Sequence, residues 1–475
     1  MSSDQASAAQ SAAPPAEQGS SEEEVYARHQ KVYPREVHGV FANLRALGVT
    51  VLLGLYYGVA WLPWDGHQAV LLDLPARKFY IFGITFWPQD FFYFAWLLII
   101  SALALFYVTA LAGRLWCGYA CPQTVWTEIF LWIERKVEGT RNQQIKRDKA
   151  NMSLAKFRVK ATKHFIWITF SLFTGFTFVG YFTPIRELAT SFLSWDLGPW
   201  ETFWIFFYGF ATYGNAGWMR EQVCIYMCPY ARFQSAMFDN DTLIIAYDEK
   251  RGEPRGSRKK GSDPRQTGLG DCVACTLCVQ VCPTGIDIRD GLQYQCIGCA
   301  ACIDVCDGVM DKMGYPKGLV RYTTEHAMAG VHTAIARPRT IMYTILLAAL
   351  TIGLIYAINQ RTPLELDIIR DRNSLYRETA GGLVENVYTL KIVNMDEQAH
   401  RYSLEISGLE GELVLTDSVI EVPAGEVLTL PASIRVDPIV LKRAASEFEF
   451  TITALDNAEL TRIETARFLG PAMAR

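Results

Sequence analysis

The chain has 475 residues, half of them apolar and 13% aromatic, with a formal net charge of −4. That length holds two or three folding units, and no nucleic-acid partner is expected. The apolar residues fall in blocks of about 20, enough helix to span a ~30 Å hydrocarbon core. A purely soluble protein is excluded, and an integral membrane protein with soluble appendages is expected.

Residues 1–35 read as a disordered cytoplasmic tail. Residues 1–24 are rich in Ser, Ala, Gln, Pro and Glu and lack the basic and apolar regions of a signal peptide. Five spans are predicted, over 44–62, 91–112, 165–182, 200–218 and 341–358. The stretch FYIFGITFWPQDFF (79–92) is too short to cross and reads as an interfacial or re-entrant piece. The loop from Arg114 to Lys163 carries eleven Lys or Arg, whereas 183–199 has only Arg186. The positive-inside rule therefore places 114–163 and 219–338 in the cytoplasm. The N-terminus is inside, the C-terminus in the periplasm, and the expected location is a bacterial inner membrane in contact with its lipid.

The four-helix membrane core (36–240) contains a repeat. WCGYACPQTVW (116–126) and VCIYMCPYARF (223–233) both read C-x-x-x-C-P, with Cys224 and Cys228 each 107 residues after Cys117 and Cys121. Each copy directly follows a predicted span on the same face, so two pseudo-symmetric hairpins should bring four thiols together. Four thiolates suit Cu(I), zinc, a further iron–sulfur cluster or a redox dithiol, and soft ligands in a water-poor site favour Cu(I). Pro122 and Pro229 fix the local turn.

The region 241–335 starts with the basic linker KRGEPRGSRKKGSDPR (250–265), read as a solvated, flexible connection. It then carries two cysteine runs, CVACTLCVQVCP (272–283) and CIGCAACIDVCD (296–307). This is the ligand pattern of a two-cluster ferredoxin, in which the fourth cysteine of each run reaches to the other cube. One [4Fe–4S] cluster is assigned to Cys272, Cys275, Cys278 and Cys306, the other to Cys296, Cys299, Cys302 and Cys282. Ala274, Gly298, Ala300 and Ala301 leave room for backbone N–H groups against the sulfides. Asp307 replaces the usual proline, and its carboxylate should lower the neighbouring potential. All twelve cysteines fall in these four local sets, which fits metal ligation in a reducing compartment rather than a disulfide framework.

After a fifth helix (336–360), residues 361–475 change to period-two alternation at 387–394, 402–407, 426–436 and 448–455. The fold expected there is a β-sandwich without a disulfide. Other residues attract blander readings. His164 is interfacial, Met310 and Met313 pack beside the ferredoxin, and Glu128 and Glu134 are surface helix charges.

In order and content these modules resemble the CcoG (FixG, RdxA) family of cytochrome oxidase accessory proteins. The resemblance rests on the WCGYACPQTVW block, its echo VCIYMCPYARFQSAM, the dicluster run, the late single span and the C-terminal sandwich. It implies five transmembrane helices, an inserted two-cluster ferredoxin domain and a C-terminal immunoglobulin-like β-sandwich in the periplasm. It further implies reduction of Cu(II) to Cu(I), with transient copper at the catalytic thiols Cys117, Cys121, Cys224 and Cys228. The beneficiary would be a cbb-type haem-copper oxidase, and the partners its assembly factors or copper chaperones. The electron donor, a quinol or a cytosolic reductant, stays open. Two alternatives are a quinol-linked electron conduit and a non-catalytic copper scaffold. Internal pseudo-symmetry permits a homodimer without requiring one.

Overall fold

The computed structural model describes residues 31–263, 268–441 and 443–471. The tail expected over 1–30 lies outside them. Residues 31–35, expected to be part of that tail, instead form an ordered strap. The Tyr33 hydroxyl donates to Asp148 at 2.8 Å, and the Arg35 N–H donates to the Gln280 carbonyl at 2.8 Å.

Helix α1 (Val40–Val59) starts at the ferredoxin domain. It leads into an antiparallel three-stranded sheet, β1 (Val70–Asp73), β2 (Lys78–Ile81) and β3 (Ile84–Phe86). The stretch expected to be an interfacial or re-entrant piece, 79–92, is thus paired strand over 79–81 and 84–86. Phe82 adopts a left-handed φ of 53° and, with Gly83, makes a two-residue hairpin turn. The backbone of the stretch is satisfied by strand pairing, so its apolar side chains need not enter a bilayer.

Helix α2 (Phe91–Ala112) returns to the ferredoxin end, followed by α3 (Leu115–Tyr119), α4 (Pro122–Glu138) and α5 (Arg141–Lys149). Next come α6 (Leu154–Val179), α7 (Ile185–Leu193) and α8 (Pro199–Thr212), the last running on into a π-helical segment, Tyr213–Met219. A second π-helical turn, Val223–Met227, precedes α9 (Pro229–Ser235). Among the described residues three helices are long and apolar enough to cross a membrane: Val40–Val59, Pro88–Ala112 and Pro338–Asn359. The expected third and fourth spans are helices of a different kind. The first turns of α6 carry Lys156, Arg158, Lys160 and Lys163, and α8 has only 14 α-helical residues. These two helices pack tightly. A Cβ on Gly175 would collide with the Ile205 carbonyl, and one on Gly209 would meet Leu172 at 3.0 Å.

The ferredoxin domain is closed by β4 (Ile244–Tyr247), paired antiparallel with β5 (Val320–Thr323). Between them lie two cysteine loops and helices α10 (Leu277–Gln280) and α11 (Ala301–Met313). Ile245, Ile288, Ile303, Met310 and Leu319 form the core, so Met310 packs where expected. The described part of the basic linker is tied down rather than free. Arg251 pairs with Asp271 at 2.5 Å and Arg258 donates to the Tyr315 hydroxyl at 2.9 Å. Asp304 on α11 accepts from the backbone N–H groups of Phe41 at 3.2 Å and Ala42 at 2.7 Å. It thereby satisfies the exposed donors of the first turn of α1, where the helix dipole also favours a carboxylate.

Helix α12 (Pro338–Asn359) runs from the ferredoxin end back to the β1–β3 sheet. The sandwich then follows as β6 (Leu364–Arg370), β7 (Val384–Asn394), β8 (His400–Ser407), β9 (Glu412–Val414), β10 (Ile420–Val422), β11 (Val427–Val436), β12 (Ala445–Ala454) and β13 (Thr461–Leu469). One sheet has the order β9-β11-β7-β6 with the short strand 377–378 beside β7; the other is β10-β8-β12-β13. Tyr388, Tyr402, Phe448, Phe450 and Phe468 fill the space between them. Arg361 clamps the sandwich to the membrane helices with a two-pronged contact to Asp90, at 3.0 and 2.6 Å. Ferredoxin and sandwich therefore sit at opposite ends of α1, α2 and α12.

Candidate redox centre

Each cysteine loop of the ferredoxin turns by the same device. Ala274 and Thr276 in the first, and Gly298 and Ala300 in the second, have positive φ between 52° and 68°. Left-handed residues alternating with right-handed ones point N–H groups inward and make a nest for an anionic group. Cys272, Cys275, Cys278 and Cys306 line one small cavity, with Tyr247, Val309 and Leu319 around them. Cys282, Cys296, Cys299 and Cys302 line a second, walled by Ile245, Ile288 and Ile297. Cys278 touches both. Burial pushes the Cys299 and Cys306 thiols up to about 12 and Cys278 up to about 11. As thiolates these groups need a bound cationic centre. Among the described residues no three His, Cys, Asp or Glu side chains converge closely enough for a single metal ion. The ligands of a cubane sit on separate irons and stand further apart, so two sets of four thiols round two apolar cavities fit [4Fe–4S] clusters. Asp307 accepts from the Gly318 N–H at 2.9 Å and lies close enough to help raise the Cys306 thiol.

The four C-x-x-x-C-P thiols are brought into one region across the repeat, with no three of them close enough to share a single ion. Cys121 caps α4 and Cys228 caps α9, each in extended conformation directly before a proline at the first helical position. A residue before proline is driven out of the α region, and proline at that position costs no hydrogen bond. The two copies therefore adopt the same turn. All four thiols feel one another: Cys121, Cys224 and Cys228 each oppose ionisation of Cys117. Burial, partly offset by Arg114, pushes Cys117 up to about 12, and burial pushes Cys224 up to about 11. The protonated forms of Cys117 and Cys224 prevail until a soft cation displaces the protons.

The backbone between Cys117 and Cys121 touches the second cluster loop directly. Gly118, between Cys117 and Cys121, lies so close that an added Cβ would meet the Gly298 carbonyl oxygen at 2.8 Å and Cys299 Cα at 2.9 Å. Arg114 donates to the Cys296 carbonyl at 3.1 Å and to the Ala231 carbonyl at 2.7 Å, stitching the loop to both motif copies. The Tyr322 hydroxyl donates to the Gly298 carbonyl at 2.6 Å, and Arg45 donates to the Cys299 carbonyl.

The expectation that Glu134 is a surface charge is overturned. It is 1% exposed and binds Arg220 at 2.7 Å, Lys31 at 3.2 Å and Lys163 at 3.3 Å. Burial raises its pKa, but Arg220, Lys31 and Lys163 outweigh that and hold the carboxyl at about 2. One turn on, Glu138 pairs with Lys163 at 2.8 Å and Lys160 at 2.9 Å. The signal available in the sequence was spacing: Glu134 and Glu138, four apart, share a helix face with the apolar Leu131. Glu128 is a partly exposed partner of Arg135 at 3.2 Å. His164 is held by the Tyr213 hydroxyl at 2.9 Å and stacks on Trp218.

A two-cluster ferredoxin domain clamped to the ends of membrane-length helices defines a membrane-bound iron–sulfur electron-transfer protein. Family models agree: a 4Fe-4S dicluster domain matches residues 219–325, a 4Fe-4S binding domain matches 94–139, and the IG-like fold at the C-terminus of FixG matches 354–471. Protein RdxB of Cereibacter sphaeroides is 41% identical over 85% of this chain and 88% of its own. The nitrogen fixation protein FixG of Rhizobium meliloti is 40% identical, covering 81% and 80% respectively. A crystal structure of a FixG-related protein from Vibrio parahaemolyticus is 38% identical over 22% of this chain and 95% of its own, with a TM-score of 0.21. The chain belongs to the FixG/RdxA family.

Proposed function

We propose that the protein passes electrons to Cu(II) at the four-thiol group and releases Cu(I) for assembly of a cbb-type haem-copper oxidase. The observation that carries this is the contact of Gly118 with Gly298 and Cys299, which abuts the thiols on one cluster loop. When bound, the two clusters supply single electrons. Cys272, Cys275, Cys278 and Cys306 would hold the one further from the thiols; Cys282, Cys296, Cys299 and Cys302 would hold the nearer. Cu(II) takes one electron, and ligation by two thiolates drawn from Cys117, Cys121, Cys224 and Cys228 stabilises the Cu(I) product. The close packing of α6 on α8 supports five spans in total. Ferredoxin and thiols then face the cytoplasm, and the sandwich faces the periplasm, where it would dock assembly factors or copper chaperones.

The test is anaerobic. Wild type and a Cys117/Cys121/Cys224/Cys228→Ser variant are reduced with dithionite, freed of excess reductant and given Cu(II). Cluster absorbance and chelated Cu(I) are then followed together. Stoichiometric reoxidation in wild type only, with cluster absorbance intact in both, supports the proposal; equal rates overturn it. A second reading is favoured by the match of a 4Fe-4S binding domain to 94–139, which includes Cys117 and Cys121. The four thiols would then hold a third cluster. Iron analysis separates the two, with about eight irons per chain for two cubanes and about twelve for three.

A further inference from the structure

A cavity of about 450 Å³ adjoins the redox centre and shares a wall, including Cys299, with the second cluster pocket. Its walls come from the strap 32–38, helix α1, one face of α4 and the cluster loop, and they include Cys224 and Cys299. On the α1 side it is lined by Asn43, Ala46 and Thr50, an exposed stripe at helical spacing. Thr50 stands ten residues beyond Val40, roughly 15 Å up a helix that rises 1.5 Å per residue from the ferredoxin end. The cavity therefore starts beside the cysteine loops and climbs along a helix long and apolar enough to cross a membrane, with the half-exposed Trp132 at its edge.

Its polar equipment is specific. Arg220 is 8% exposed, spends Nε on the Gly217 carbonyl and Nη2 on Glu134, and leaves Nη1 buried with no hydrogen-bond partner. Arg135 on the same cavity likewise leaves Nε buried and unpartnered. A buried donor without an acceptor costs about 1–3 kcal/mol, and more when charged. Two such donors on one largely apolar cavity call for a ligand with an apolar body and acceptor oxygens at its head.

We infer that this cavity is a binding site for the headgroup of a membrane-dissolved quinone or quinol, with carbonyl or hydroxyl oxygens accepting from Arg220 and Arg135. A quinone enters sideways from lipid past Ala46 and Thr50 and places its ring next to Cys299. The choice of quinone over a redox-inert amphiphile rests on the electron-transfer function; the existence of the site does not.

The test uses the full chain in detergent and a photoreactive azido analogue of a short-chain quinone. Saturable labelling of peptides within 40–50 and 122–138, competed by decylubiquinone, is expected. Ala46→Phe fills the entrance and Arg135→Gln removes one donor. Each should weaken labelling roughly tenfold, the scale of one lost charge-assisted hydrogen bond, while cluster absorbance stays unchanged. Unsaturable labelling, labelling elsewhere, or full labelling of both variants overturns the site. Equal competition by short-chain phosphatidylglycerol overturns the quinone in favour of a lipid phosphate. Copper reduction by dithionite-reduced protein needs no quinone, so failure there leaves this site standing, and failure here leaves the copper assay intact.

Discussion

Gly118 is a glycine for lack of space, not for conformation. Its backbone is ordinary helix, yet an added Cβ would stand 2.8 Å from the Gly298 oxygen. Gly118→Val should push the Cys296–Cys302 loop away from the thiols. The expected outcome is intact cluster absorbance with reoxidation by Cu(II) slowed severalfold. An unchanged rate would show that electrons reach copper without crossing this contact.

Among elements, the decisive one is α4, which begins at the thiols and ends in a buried ion network. Glu134 joins α4 to the strap through Lys31, to α6 through Lys163 and to the π-helical segment through Arg220. Breaking a buried pair by removing one partner costs about 3–5 kcal/mol, because the remaining charges stay buried. Glu134→Gln should therefore lower the unfolding midpoint in detergent at neutral pH. The sign of the pH dependence follows from a folded pKa of about 2 against the ordinary 4.5. The stabilisation is complete above 4.5 and lost as the pH falls through 2. The gap between variant and wild type should close over that interval. A gap that persists at the acid end would mean the carboxylate charge is not what matters.

For the whole molecule, the two soluble domains occupy opposite ends of α1, α2 and α12. The sandwich has its own core and meets the membrane part through Arg361–Asp90 and the packing of Trp87 on Val393 and Met395. No part of that contact lies near the thiols. A chain ending at 361 should keep its cluster absorbance and the proposed copper reduction, and lose only the proposed capture of assembly partners. Loss of copper reduction in the truncated chain would show that the sandwich acts on the centre through the helices.

The sequence by itself determined what depends on local spacing. The cysteine runs specify two cubane ligand sets because three ligands of each come from one tight loop. The prolines after Cys121 and Cys228 specify the turn, and period-two alternation specifies the sandwich strands. The hairpin over 78–86 escaped because its apolar residues look alike whether they face lipid or a sheet, and only the Phe82–Gly83 turn separates the two. Tertiary structure alone decided which cluster loop meets the thiols, since Gly118 and Gly298 are 180 residues apart. It alone buried Glu134, whose cost is met by cations from three other segments. It also opened the cavity at Arg220, because an unpartnered donor is visible only once everything that could have paired with it has been placed.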